Sequence, residues 1–209
     1  MILDLHTHSI KSDDGRAKVE NYCQWIRKKA LPLDGFVLTE HRQFDDESDY
    51  RKLEDEFGLL ILKASEVETD YGHVLVFGVN EDLRAALDFT RIDLPLADVL
   101  RESERCGAVA APCHPGRVNV GLFAHYAERG PVDGVKLVEV YNGGSRGSED
   151  AESLAGAERH GYRGYGGSDA HIVSHIGRCA TEFQDEIASM DDLVAALAGD
   201  RFEARTWRQ

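Results

Sequence analysis

The sequence predicts an α/β fold built on a mostly parallel sheet that is either open or closed into a barrel. Short apolar runs of strand length recur along the chain, and stretches with a helical spacing of apolar residues lie between many of them. This alternation is typical of parallel sheets with helical crossovers. Functional residues in such folds gather at the carboxyl ends of the strands, so we expect the chemistry of this chain there.

The elements follow one another in a regular order. Seven runs are predicted to be strands, at 2–5, 35–39, 59–64, 73–79, 108–112, 135–141 and, with a weaker pattern, 162–166. Helical spacing is clearest at 19–26, 96–100 and 151–158. The closing segment adds a strand at 179–183, a helix at 190–197 and a strand-like stretch at 202–207. The polar stretch 143–150 is typical of a loop followed by a helix start, and we expect residues 1–209 to form a single domain.

The composition is that of an ordinary globular protein, with 42% hydrophobic and 30% charged residues in a chain of 209. No apolar stretch approaches the roughly 18 residues of a membrane span. The first residues lack the basic and apolar regions of a secretory signal, so we expect a cytoplasmic protein without membrane association. The four cysteines lie far apart with no C-x-x-C pair, which favours reduced thiols over a disulfide framework.

The formal net charge of -14 narrows the choice of partners. So acidic a protein repels a phosphodiester backbone, which disfavours stable nucleic-acid binding unless bound cations change the local field. Some of the negative charge would then belong to metal ligands. The sequence shows no heptad repeat or obvious apolar face, and it does not indicate an oligomeric state.

Histidines and carboxylates stand at the ends of the predicted strands. His6 and His8 have strand spacing, so both side chains point to one side and can bind one ion. Asp13 follows in a turn-forming stretch, 12–15, that could bring an acidic ligand back over the strand end. An isolated His-x-His pair such as His6 and His8 also occurs by chance. The stretch 12–15, taken by itself, would indicate only a turn.

Four further groups of motifs make the pattern specific. They are Thr39-Glu40-His41, Ser65-Glu66 with Gly72-His73, Pro112-Cys113-His114-Pro115-Gly116-Arg117, and Gly167-Ser168-Asp169-Ala170-His171. Together with the first motif, this ordered set resembles that of the polymerase and histidinol phosphatase (PHP) family. The resemblance covers essentially the whole chain, including Ile176-Gly177-Arg178. It implies a distorted (β/α)7 barrel similar to a TIM barrel, and a metal-dependent phosphoesterase.

The resemblance also implies the metal ligands. One ion would be held by His6, His8, Glu66 and Asp169, and Glu66 would bridge to a second ion held by His73 and His114. A third ion would take Asp13, His41 and His171. Imidazole with carboxylate accommodates zinc, manganese or iron, so the sequence implies two or three divalent ions of unspecified identity.

Further residues have candidate roles around this centre. Arg117 and Arg178 are predicted to bind the phosphate, since a guanidinium matches phosphate oxygens, although either could pair with a surface carboxylate instead. His175 is a candidate acid for the leaving group or else a loop residue. Glu40 stands where the family usually has Asp, and we expect it to orient His41 or another ligand. Asn142, in a loop after a strand, could contact the substrate.

These features favour hydrolysis of a small phosphorylated substrate, a phosphomonoester first and a phosphodiester second. Two cations about 3.5 to 4 Å apart can share a hydroxide for in-line attack on phosphorus. Only 24 residues separate His114 from Glu139, whereas some larger relatives insert a lid there, so we expect an open pocket. Two alternatives remain: an amidohydrolase-like enzyme that hydrolyses C–N or C–O bonds, and a noncatalytic metal-binding regulatory module.

Overall fold

A computed structural model describes residues 1–208 of the chain. Every strand and helix predicted from the sequence is present, although the alternation is broken where two strands, and then two helices, follow one another directly. In chain order they are β1 Ile2–Thr7, α1 Val19–Lys29, β2 Gly35–His41, α2 Arg51–Phe57, β3 Leu60–Thr69, β4 Gly72–Phe77, α3 Glu81–Ala86, α4 Leu96–Arg105, β5 Val109–Pro112, α5 Leu122–Arg129, β6 Leu137–Asn142, α6 Glu149–His160, β7 Arg163–Gly167, a 3-10 turn Val173–His175, β8 Cys179–Phe183, α7 Met190–Ala198 and β9 Phe202–Thr206. Within residues 1–208, none of these helices has the length and apolar content that crossing a membrane requires.

The sheet is a curled half-barrel. Seven strands are hydrogen-bonded in the order β5-β4-β3-β2-β1-β8-β9, and β6 pairs with β7 separately. This second pair closes the curve, because β6 packs beside β5 and β7 beside β1. Among the described residues no continuous ladder joins the two sheets, although Thr7 forms a bridge with Ala170. The mixed α/β class is therefore as predicted, whereas the strand pairing does not confirm the count of seven βα units in the predicted distorted barrel.

The expectation of a mostly parallel sheet was wrong. β2 is parallel to β1 and β3, and β6 to β7, but β4 is antiparallel to both β3 and β5, and β8 to both β1 and β9. The tight turn at Asp70 and Tyr71 leaves no room for a crossover, so β4 must run back along β3. As a consequence His73, which opens β4, lies beside the carboxyl end of β3 and faces Glu68.

Helix α6 forms where it was predicted, but the residues whose spacing predicted it, Ala151, Leu154, Ala155 and Glu158, are exposed. Its buried residues are Ser153, Gly156 and Ala157, whereas Leu154 is 41% exposed. Small residues occupy the buried face because the helix packs closely on its neighbours. A Cβ at Gly156 would lie 2.2 Å from the Phe123 ring. Close packing of the backbone therefore overrides the apolar stripe that the sequence suggested.

The interior of the curled sheet changes character along the strands. Its floor is one apolar cluster with members from all seven strands β1 to β7, which are Leu3, Leu5, Val37, Ala64, Leu75, Phe77, Ala111, Leu137 and Tyr165. Residues two positions apart share a face of a strand. The interior positions next to Ala64, Ala111 and Leu137 are therefore Glu66, Cys113 and Glu139. The apolar floor gives way to polar side chains at one end of the barrel.

Candidate metal centre

The polar end of the barrel gathers side chains from six strand ends around Glu66. The predicted ligands there are His6 on β1, His8 after it, His41 at the end of β2, His73 on β4, His114 after β5, and Asp169 and His171 after β7. Glu66 is fully buried on β3. The residues are far apart in the sequence, and the parallel pairing of β1, β2 and β3 brings the first of them together.

One carboxylate oxygen of Glu66 faces three histidines. Its Oε2 lies 3.0 Å from His6 Nε2, 3.2 Å from His8 Nε2 and 3.3 Å from His41 Nδ1. The other oxygen, Oε1, lies 2.8 Å from His73 Nδ1 and 3.3 Å from His114 Nε2. Each oxygen thus has its own set of imidazoles, which is the arrangement of a carboxylate that can bridge two cations.

Asp169 completes the first predicted set. Its Oδ1 lies 3.5 Å from both His6 Nε2 and His8 Nε2. The ligand atoms of His6, His8, Glu66 and Asp169 all lie within 4.8 Å of one another. These are the four residues that the family resemblance assigned to one ion.

The third predicted set is altered at its carboxylate. His41 Nε2 and His171 Nε2 lie 3.3 Å apart, but Asp13 is exposed and pairs with Arg42 instead. Asp14 takes its place, with Oδ2 3.1 Å from His171 Nε2 and Oδ1 3.5 Å from His41 Nε2. The structure therefore pairs Asp13 with Arg42 instead of bringing it to the cluster, and Asp14, whose side chain is itself 57% exposed, is the aspartate beside these imidazoles.

The residues fit divalent metal ions. Buried polar atoms without a hydrogen bond are costly and rare, yet His8 Nε2 and His41 Nδ1 are both in that state among the described residues. Both nitrogens face Glu66 Oε2. Imidazole nitrogens aimed at a shared carboxylate are a donor set suited to zinc, iron or manganese, and an ion would satisfy both atoms.

Glu139 orients His6 and His114 from the side opposite Glu66, a role that the sequence did not reveal. Its Oε1 lies 3.0 Å from His6 Nδ1, which turns the other ring nitrogen toward Glu66. Its Oε2 accepts hydrogen bonds from the His114 backbone N–H and the Asn142 side chain, both at 2.8 Å. The two-residue spacing from Leu137 on β6 is the signal that could have placed it in the interior. Asn142 is buried with it.

Glu40 acts on the loop that carries His8. It accepts hydrogen bonds from the Ser9 backbone N–H at 3.1 Å and from Ser12 Oγ at 2.6 Å. Ser12 Oγ in turn accepts from the His41 backbone N–H at 3.0 Å. Glu40 therefore fixes the loop and the strand end, and among the described residues it makes no hydrogen bond to the His41 ring.

Three site residues adopt left-handed backbone conformations without being glycine. They are Arg42 with φ 53°, His114 with φ 33° and Asp169 with φ 51°. Such conformations are uncommon outside glycine and cost on the order of 1 to 3 kcal/mol each. All three follow the carboxyl end of a strand, so the chain changes direction where the cluster lies.

The charges of the cluster are mutually dependent. Burial alone would lower the pKa of His6, but the carboxylates of Glu139, Asp169 and Glu66 raise it well above its ordinary value. Burial opposes the carboxylates in the same way at His8, whose pKa is raised to about 9. Burial would raise the pKa of Glu66 and of Asp169, yet the imidazoles hold both well below the ordinary range. Both carboxylates are therefore charged at neutral pH.

The three residues predicted to act on the substrate lie at different distances from the cluster. Arg117 reaches it, donating from Nη2 to Asp169 Oδ2 at 2.8 Å and to Asn142 Oδ1 at 3.2 Å. Arg178 is half-buried and makes one long contact, 3.5 Å from its Nη1 to Gly143 O. His175 lies on the 3-10 turn, where partial burial, Arg178 and His171 lower its pKa. Within residues 1–208, neither Arg178 nor His175 forms an ion pair.

Known proteins resemble this chain in sequence and in fold. A family model described as PHP-associated matches residues 148–201. An uncharacterised protein of Methanocaldococcus jannaschii is 27% identical over 202 residues, which are 92% of this chain and 75% of that protein. PsfC from Pseudomonas syringae has the same fold, with a TM-score of 0.70 at 19% identity over 100% of this chain and 92% of PsfC.

Two further solved structures share the fold. One, from Bifidobacterium adolescentis, is assigned as a metal-dependent phosphoesterase and has a TM-score of 0.60 at 17% identity, over 94% of this chain and 95% of its own. The other is a lesion-specific endonuclease, EndoQ, of Pyrococcus furiosus, with a TM-score of 0.67 at 14% identity; the match covers 97% of this chain and 57% of EndoQ. The match to the PHP-associated family model confirms the resemblance to the PHP family, and the two solved structures show that the fold is shared.

Proposed function

We propose that the protein hydrolyses phosphate esters, small phosphomonoesters first and phosphodiesters second, using two or three divalent ions held by the histidine and carboxylate cluster. The observation that carries this proposal is Glu66. It is fully buried and presents one oxygen to His6 and His8 and the other to His73 and His114. A carboxylate between two imidazole sets is suited to a paired metal centre.

Residues of the chain have separate roles in this reaction. Ions bound at the cluster would supply an acidified water and charge stabilisation at the phosphate oxygens. Glu139 holds His6 in the required orientation, and Glu40 holds the loop around His8. Arg117 projects beside Asp169 and is placed to bind a phosphate oxygen. Arg178 and His175 are assigned to the rim, where they would meet the rest of the substrate.

The charge of the molecule supports a small substrate. A net charge of -14 repels a nucleic-acid backbone and weakens any binding that depends on many phosphate contacts. EndoQ shares the fold, however, so diesters and abasic DNA belong in the test. Zinc, manganese and iron are all compatible with the donor set.

The direct test is phosphate release from a panel of monoesters and diesters by metal-free protein reloaded with zinc, manganese or iron. We expect metal-dependent turnover that falls to background in Glu66→Gln and is retained in Glu203→Gln, an exposed carboxylate on β9. Hydrolysis of amides or lactones with no phosphate release would favour the amidohydrolase-like alternative. Metal binding without turnover of any ester or amide would favour a noncatalytic module.

A further inference from the structure

Cys113 lies in the ligand layer of the barrel. It directly follows β5 and shares the interior face with Ala111. Its side chain is 1% exposed. The ordinary interpretation of such a residue is a small apolar group in the core, but its neighbours on the polar side are metal ligands.

The distances around the Cys113 sulfur are those of a shared ligand set. Sγ lies 3.3 Å from Glu66 Oε1 and 3.3 Å from His114 Nε2. Metal–ligand bonds of about 2.0 to 2.3 Å separate donor atoms on one tetrahedral ion by roughly 3 to 4 Å. His6, Glu66, Cys113 and His114 each offer a donor atom, and these atoms all lie within 4.8 Å of one another.

The other cysteines have different surroundings. Cys23 is buried in an apolar cluster beside α1, and Cys179 donates to Thr206 Oγ1. Cys113 also belongs to an apolar cluster, but its thiol donates to the Glu66 carboxylate. A second observation points to a cation at the Glu66 carboxylate: His8 Nε2 is buried without a hydrogen bond, 3.2 Å from the oxygen opposite the one that Cys113 contacts. Burial alone therefore does not explain the position of Cys113.

We propose that Cys113 is a sulfur ligand of the ion on the Oε1 side of Glu66, together with His114 and Glu66 itself. On binding, the S–H bond breaks, its proton passes to solvent, and the sulfur electron pair forms the bond to the metal, with no change of oxidation state. The proposal rests on the proposed metal centre and not on which ester is hydrolysed. Because thiolate is a soft ligand, it makes this position favour zinc or iron over manganese.

The test is the absorption spectrum of the full-length protein loaded with cobalt(II). Visible d–d bands report binding by any ligand set, whereas a near-ultraviolet band from sulfur-to-cobalt charge transfer reports a cysteine ligand. We expect both in the wild type. Cys113→Ser should lose the charge-transfer band and keep the d–d bands, and Cys23→Ser, a buried thiol away from the cluster, should keep both.

A zinc titration provides the second measurement, in case the serine variant changes the fold. Cys113→Ala and Cys113→Ser, checked by circular dichroism, should bind zinc about tenfold or more weakly and manganese nearly as well as the wild type. Cobalt d–d bands without the charge-transfer band in the wild type would overturn the ligand role while leaving the metal centre intact. Absence of cobalt binding altogether would overturn both the ligand role and the metal centre.

Discussion

At the scale of single residues, two neighbouring and exposed aspartates have different partners at the edge of the cluster. Asp13 and Asp14 are adjacent and chemically alike, yet Asp13 pairs with Arg42 and Asp14 faces His41 and His171. Neither the residue type nor the spacing in the sequence distinguishes Asp13 from Asp14 as the aspartate near the imidazoles. The position of one guanidinium separates them.

Exchange of each aspartate in turn tests this assignment. Asp14→Asn should weaken the third metal position, because it removes the carboxylate charge 3.1 Å from His171 Nε2, and we expect the affinity of that position to fall about tenfold or more. Asp13→Asn should leave it nearly unchanged. Metal content by mass spectrometry after dialysis at graded free zinc measures both. A larger effect of Asp13→Asn would restore the ligand that the sequence indicated.

The raised imidazole pKa values predict how metal binding depends on pH. A metal binds the deprotonated ring, and the balance of burial against Asp169 and Glu66 raises the pKa of His8 to about 9. Below that pH an incoming ion must displace a proton, so affinity should rise as the pH increases toward 9. Calorimetry in buffers with different ionisation enthalpies should show proton release on zinc binding near neutral pH. Binding with no proton release would contradict this protonation state.

At the scale of elements, the metal centre depends on the close approach of β7 to β1. A Cβ on Gly167 would lie 2.4 Å from His6 Cβ and 2.7 Å from Glu139 Oε1. Only glycine lets the backbone pass so near. The antiparallel return of β4 has a comparable role, since it delivers His73 to the same end of the barrel as Glu66.

The variant Gly167→Ala should therefore disturb both the fold and the site. We expect a loss of about 1 to 3 kcal/mol in the free energy of unfolding from overpacking, together with weaker metal binding because His6 and Glu139 must move. Gly199→Ala is a matched control, since its nearest neighbour, Ala196 O, is 3.3 Å away. Denaturant unfolding of the metal-free proteins separates the stability effect from metal binding. Equal stability of Gly167→Ala and wild type would refute the close approach.

At the scale of the whole molecule, the cluster concentrates carboxylates in a protein that already has a net charge of -14. Bound cations would offset part of that charge and would tie together strand ends from β1 to β7. The first and last parts of the chain also meet, because β8 pairs with both β1 and β9. The assignment of residues 1–209 to one domain stays a prediction that agrees with this pairing.

Metal removal should consequently destabilise the whole fold. An ion that binds only the folded state adds about 2.7 kcal/mol at a free concentration of one hundred times its Kd. We expect the Tm of the zinc-loaded protein to exceed that of the chelated protein, and the difference to shrink in His114→Ala. Differential scanning calorimetry at fixed zinc concentration measures both values. Identical Tm values with and without zinc would argue against a metal centre in the folded protein.

The sequence by itself determined most of the strands and helices and which end of the barrel gathers the polar side chains, and it named eight of the nine candidate ligands that the structure brings together. This was possible because the alternation of side chains along a strand is a local pattern. The imidazoles and carboxylates at the strand ends can likewise be recognised within short, separate motifs. The family resemblance rested on the same local motifs.

Only the tertiary structure decided the antiparallel direction of β4, the buried face of α6, the choice of Asp14, and the positions of Glu139 and Cys113 beside the ligands. Each depends on contacts between residues distant in sequence: Arg42 with Asp13, Phe123 with Gly156, and β5 and β6 with the strands opposite. A local pattern states which residues are available, whereas long-range packing sets the direction in which each side chain points.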